Sequence, residues 1–217
     1  MKLDKDSTGT ILFIWAICIV LTVLLCLLTH SVVLHCVIAL ILLGTALFFT
    51  YFFRVPVRQP VGSDKTVTSV ADGEVVLIDR LYEKEFLHRE CIRISIYMDL
   101  VDVHANFWPV TGEVIYAQYH PGKHKLAFLP KSSDLNEHAT TAIRTPEGKE
   151  LLFKQIAGTL ARRVVSYSHP GLQVTAGEQC GIIKLGSRID FFLPVDADIK
   201  VDEGDRVRAC ETVIARL

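Results

Sequence analysis

The stretch "IIKLGSRIDFF" (residues 182–192) reads as a buried strand interrupted by a bare Gly-Ser pair. Ile182, Ile183 and Leu185 lie on one side of Gly186-Ser187, and Ile189, Phe191, Phe192 and Leu193 on the other. Runs this apolar and this rich in β-branched and aromatic residues belong inside a sheet. Glycine inside a strand costs stability, and its ordinary reasons are a bulge or a close backbone approach. A second reading stands beside that one: a serine hydroxyl next to a small glycyl carbonyl can attack its own peptide bond, which is nucleophilic catalysis turned inward. The other Gly-Ser pair, Gly62-Ser63, sits in a polar segment with Asp64 and Lys65 behind it, as turn residues usually do.

The same β signature extends outward. "GEVVLID", "CIRISIYM", "GEVIYAQY", "KLAFLP" and "ATTAIRT" alternate or run apolar between Gly, Pro and Asp punctuation. "LFKQIAGTLARRVVSY" can be a helix through Thr159-Leu160-Ala161-Arg162 or a strand interrupted at Gly158, and periodicity leaves both open. "HPGLQVTAGEQCGIIKLG" and "ADIKVDEGDRVRACETVIARL" share a rhythm of strand, Gly-acidic turn, strand. That rhythm resembles the folded sheets of lipoyl and biotinyl carrier domains, although no lysine is displayed at a hairpin tip as a carrier requires. The expectation for residues 65–217 is a mainly β (α+β) domain, sandwich-like or of the barrel-sandwich-hybrid kind.

Two uncharged runs precede it, Ile11 to Thr29 and Val32 to Phe53, separated by His30-Ser31. At about 1.5 Å per residue they reach roughly 28 and 33 Å, against about 30 Å of bilayer hydrocarbon. No small-residue cleavage site follows the first run, so a two-helix membrane hairpin over residues 1–53 is expected rather than a signal peptide. Lys2 and Lys5 precede the spans, Arg54, Arg58 and Lys65 follow them, and the turn carries no basic residue. The positive-inside rule then places both ends in the cytoplasm. Residues 54–64, marked by Pro56 and Pro60, read as a linker.

Composition excludes several functions. The formal net charge of -1 and the lack of a basic stripe argue against nucleic-acid binding. Of the six cysteines, Cys18, Cys26 and Cys36 fall in the spans, and Cys91, Cys180 and Cys210 are far apart, with no zinc spacing and no disulfide framework. No HxH or HExxH pair supports a metallohydrolase. "HPGKH", with His120 and His124, shows neither a carboxylate partner nor regular metal spacing and reads as a solvated turn.

Five blocks carry a family resemblance: "ADGEVV" (71–76), "DVHANFWPVTGEV" (102–114), "LPKSSDLNEHA" (129–139), "IAGTLARRVV" (156–165) and "GEQCGIIKLGSRIDFFLP" (177–194). In their order and approximate spacing they resemble a phosphatidylserine decarboxylase proenzyme of the short bacterial and archaeal type, from about Val70 to Leu193. The resemblance implies that the Ser187 hydroxyl attacks the Gly186 carbonyl, and that elimination and hydrolysis leave a pyruvoyl group derived from Ser187. Cleavage would give a large membrane-anchored chain and a small chain beginning at Ser187, paired as a heterodimer, with a homodimer possible. The pyruvoyl ketone would form a Schiff base with phosphatidylserine in the membrane and release phosphatidylethanolamine and carbon dioxide, without pyridoxal phosphate or metal.

For site residues the resemblance implies His104 as the acid-base group and Asp72 as its acidic partner, a carboxylate orienting an imidazole. Asn136 and Glu137 would line the site; Arg162 and Arg163 are adjacent and on a strand face opposite ways, so at most one, with Arg162 as the candidate, meets a phosphate or carboxylate. Where long-type enzymes carry a second His, this chain has Phe107. Phe107 and Trp108 can serve the membrane interface or the core. An uncleaved, non-enzymatic membrane-tethered β module is the competing reading, and it predicts that Ser187→Ala has no chemical consequence.

Overall fold

The computed structural model describes residues 2–63, 65–123, 136–158, 163–184 and 187–217. The chain folds into two compact units, Met1–Val57 and Arg58–Leu217.

In the first unit the chain runs through β1 (Lys2–Leu3), α1 (Thr8–Leu28), α2 (Val32–Phe52) and β2 (Arg54–Val55). Both helices are long and apolar enough to cross a membrane. Leu27, Leu28, Val33 and Leu40 are exposed, as a lipid-facing surface requires. Between the helices, Ser31 caps α2 by accepting a hydrogen bond from the Leu34 amide. At the other end β1 pairs with β2, and the Asp4 amide donates to the Phe53 carbonyl at 3.0 Å. The N-terminus and the exit of α2 therefore lie at one end of the hairpin.

The second unit is built of strands, so the mainly β reading holds. In chain order they are β3 (Thr66–Thr68), β4 (Gly73–Glu83), β5 (Arg89–Met98), β6 (Ala105–Phe107), β7 (Gly112–His120), β8 (His138–Arg144) and β9 (Glu150–Ala157). β10 (Arg163–Ser166), β11 (Gln173–Val174), β12 (Gln179–Lys184), β13 (Ser187–Pro194), β14 (Asp198–Ile199), β15 (Arg206–Val207) and β16 (Val213–Arg216) complete them. Eight form one antiparallel sheet in the order β11-β7-β8-β9-β13-β5-β4-β15, while β10-β12-β6 and β14-β16-β3 form two sheets of three. The segment "LFKQIA" is in a strand, β9, which ends at Ala157 before Gly158, and residues 159–162 lie outside the described residues.

Period-two alternation sorts the central strands. Ile189, Phe191 and Leu193 of β13 join Ile94, Ile96 and Met98 of β5 and Leu151 and Phe153 of β9 in the main core. The opposite face carries Phe192, Leu152, Ala142 and Cys91. Trp108 is buried and meets Phe153 edge-on, and Phe107 is buried too, so both serve the interior.

Residues 182–184 and 187–192 belong to two different strands, not to one interrupted strand. β12 pairs with β10 and β6, whereas β13 pairs with β5 and β9 in the large sheet. Ile182 and Phe191 are therefore buried in different sheets, which the continuous apolar run conceals.

Candidate active site

Ser187 is the first residue of β13 and has no solvent exposure. It stands opposite Met98 on one side and Ala157 on the other. Its hydroxyl donates to the Met98 sulfur at 2.9 Å, and the Asn106 amide nitrogen approaches the same sulfur at 3.9 Å. Asn106 in turn accepts from the Gln155 side-chain nitrogen at 2.8 Å. The Gln155 side-chain oxygen is buried without a hydrogen-bond partner among the described residues. Gln155 pairs with Ile189, two places along from the Ser187–Ala157 pair, so it lies diagonal to Ser187 on the same sheet face. A buried acceptor left unmade costs about 1–3 kcal/mol, which a ligand N–H entering here would recover.

His104, just before β6, is fully buried. Its Nδ1 lies 3.0 Å from the Asp102 carbonyl oxygen, an acceptor only, so Nδ1 carries the proton and Nε2 the lone pair. The His104 carbonyl accepts from the Ile183 amide, which ties this histidine to β12, the strand leading to Gly186. Asp102 is itself fixed, one carboxylate oxygen accepting from Arg206 at 2.6 Å and the other from the Asp99 amide at 2.9 Å.

The described bonds take Asp72 elsewhere. Its carboxylate receives both terminal nitrogens of the Arg58 guanidinium, and it also accepts from the Ala209 amide at 2.9 Å. The Asp72 hydrogen bond holds Arg58 above its usual pKa against the opposing effect of burial. Arg58, within the segment read as a linker, is thus latched to the β unit.

Asn136 donates from its side chain to the Ala157 carbonyl at 2.7 Å, fixing the residue opposite Ser187. Glu137 accepts from the Val164 amide at 2.8 Å, and its own carbonyl accepts from Ala157, so its bonds join β9 and β10. Gly186, Arg162 and His124 lie outside the described residues. Asn136 bonds the residue opposite Ser187, the His104 main chain bonds β12, and Asp72 is bound to Arg58 and Ala209.

The phosphatidylserine decarboxylase family matches residues 45–215. The chain belongs to the phosphatidylserine decarboxylase family. A phosphatidylserine decarboxylase proenzyme of Parabacteroides distasonis is 38% identical over 100% of this chain and 99% of its own length. One of Amoebophilus asiaticus is 44% identical over 79% of this chain and 76% of its own, and one of Bacteroides thetaiotaomicron is 42% identical over 83% and 80%.

Three features of the β unit are not evident in the sequence. Gln155 is a polar residue in the core-facing register of Leu151, Phe153 and Ala157, and that register is the signal that could have found it. Arg188 and Asp190 face away from Ser187 and form an ion pair at 2.6 Å with essentially no exposure, joined by the Ser95 hydroxyl 2.7 Å from the guanidinium. Two opposite charges two residues apart within "SRIDFFLP" mark it.

The third feature corrects the solvated-turn reading of His120. His120 ends β7 and meets Glu85 at 2.7 Å. Glu85 also binds Lys154 at 2.6 Å, and Thr140 and Tyr116 donate to it. Burial pushes the Glu85 carboxyl up, but Lys154 and the hydrogen bonds from His120 and Thr140 hold it below its ordinary value. His138 stacks on His120, and burial lowers its pKa. No regular sequence spacing links these residues.

Proposed function

We propose that this chain is a phosphatidylserine decarboxylase proenzyme that cleaves itself between Gly186 and Ser187 and makes phosphatidylethanolamine and carbon dioxide from phosphatidylserine. The observation that carries the reading is Ser187 itself: a buried hydroxyl at the start of a strand paired on both sides, beside an unsatisfied acceptor and behind the strand that His104 bonds.

In self-cleavage the Ser187 oxygen bonds the Gly186 carbonyl carbon while the peptide C–N bond breaks, leaving an ester and a Ser187 amine. Loss of the Ser187 Cα proton and rupture of its Cβ–O bond free the Gly186 carboxylate. Water then replaces the nitrogen as ammonia and leaves the pyruvoyl ketone. The residues present fit such a group, because the orphaned Gln155 oxygen on Ser187's face suits the N–H of a substrate amine. Once formed, the group supplies an electron sink for the pair left when carbon dioxide departs.

The chain's own residues do the rest. His104, with its proton on Nδ1 fixed by Asp102, uses Nε2 to carry a proton to or from the reacting centre. Asn136 fixes the Ala157 carbonyl and so the strand opposite Ser187. Buried Met98, Phe153 and Trp108 help to exclude water. The two apolar helices keep the domain at a lipid surface, and basic residues before the first span and after the second, with none in the turn, favour the cytoplasmic face of the cell membrane.

The test is conversion of phosphatidylserine in vesicles holding the purified full chain, read by lipid mass. The wild-type chain is expected to yield phosphatidylethanolamine and Ser187→Ala none. Equal conversion by both, or none by a well-folded wild-type chain, would overturn the reading.

A further inference from the structure

We propose that Glu85, His120 and His138 form a binding site for a divalent transition-metal ion of the zinc class, clamping the β4–β5 loop onto the β7–β8 pair. The site is separate from Ser187 and does not depend on the proposed reaction. His138, Ile156 and Arg188 stand opposite one another across β8, β9 and β13, so His138 is on the face opposite Ser187.

One ligating atom from each of the three residues lies within 4.8 Å of the others. Tetrahedral zinc with bonds near 2.0–2.1 Å separates its ligands by about 3.4 Å, so modest side-chain rotation closes the set. The chemistry of each donor suits the ion. His138 Nδ1 is 2.7 Å from the Asn136 carbonyl, which fixes the proton on Nδ1 and leaves the lone pair on Nε2. A backbone carbonyl holding the distal N–H is the usual support of a metal-binding histidine. His120 Nε2 and the first Glu85 oxygen already share one position at 2.7 Å, where a cation can replace a proton. The second Glu85 oxygen is anchored by Lys154 at 2.6 Å and Thr140 at 3.1 Å, so the carboxylate is held in place.

The loop is built to present Glu85. Glu83 accepts from the Glu85, Phe86 and Leu87 amides at 2.9, 2.9 and 2.7 Å, and Phe86 stacks on Tyr116 of β7. A cavity of about 400 Å³, lined by Glu83, Glu85, His138, Lys154 and Phe192 among others, adjoins the cluster and gives water access to a fourth coordination position. Two imidazoles and one carboxylate favour zinc over calcium or magnesium, which prefer all-oxygen shells. The Lys154 ammonium competes with a cation for Glu85, so the site is weaker than one without it.

The test is zinc titration of the chelator-stripped, detergent-solubilised full chain against a chromophoric competitor. Expected is one equivalent of zinc whose affinity falls at least 10-fold in Glu85→Gln and in His138→Ala. Thermal melting, which zinc should raise in the wild-type chain, shows whether each variant is folded. Lys154→Met keeps all three ligands and should bind zinc more tightly than wild type. No saturable uptake by the wild-type chain, uptake undiminished by Glu85→Gln and His138→Ala, or no gain in Lys154→Met would overturn the site.

Discussion

Ser187 begins β13 of the large sheet and His104 precedes β6 of a three-stranded sheet, and the local bonds of each restrict what it can do. The His104 Nδ1 is held by the Asp102 main-chain carbonyl, which fixes a proton there and turns Nε2 to the proton-transfer role. His104→Ala should therefore lower decarboxylation by about 10²-fold or more, the usual contribution of a positioned acid-base group. Measured as initial rates on vesicle phosphatidylserine with correctly folded protein, an unchanged rate would remove His104 from the mechanism. Both residues are candidates that the sequence itself offers, each from a distinctive block. The Gln155–Asn106 bond was not legible there, because it joins β9 to β6 across sheets and only the register brings them together. The Arg58–Asp72 latch was hidden likewise, since a basic residue after a membrane span first reads as a topology signal.

At the scale of elements, β13 is the strand that cleavage would start, and its two faces are secured differently. One face is apolar; the other carries the buried Arg188–Asp190 pair with Ser95. Removing one partner strands a charge in the interior, so Asp190→Ala should destabilise the domain by roughly 3–5 kcal/mol. Replacing both, as Arg188→Met with Asp190→Leu, should recover most of that loss, because well-packed apolar groups avoid the desolvation cost. Chemical denaturation of the two variants checks this, and equal losses in both would contradict it. The alternating strands were readable from their period, as was the strand, turn, strand rhythm near the C-terminus, with Gly177 and Gly204 at positive φ in the turns. The division of residues 182–192 between two sheets was not, because a long apolar run does not reveal where a chain changes sheet.

For the whole molecule, the hairpin and the β unit are separate compact bodies with separate tasks. Removing residues 1–57 should leave a domain that folds and still cleaves itself. Its turnover of phosphatidylserine in vesicles should drop by about 10²-fold as the local substrate concentration is lost, while turnover of a short-chain, dispersed phosphatidylserine stays within a few-fold of wild type. Equal loss on both substrates would assign the hairpin a structural role instead. The hairpin was the plainest feature of the sequence, since two successive uncharged runs of spanning length exceed what a core helix or a signal segment uses. The pairing of β13 with β5 and β9 explains how two chains could stay together after a cut before Ser187, since the ladders on both sides join the small chain to the large one. The most direct measurement is the denatured intact mass of the purified protein, before and after a carbonyl-reactive hydrazine. Two chains divided between Gly186 and Ser187, with only the smaller gaining the hydrazine mass, are the predicted result; one uncut, unreactive chain from folded protein would contradict it.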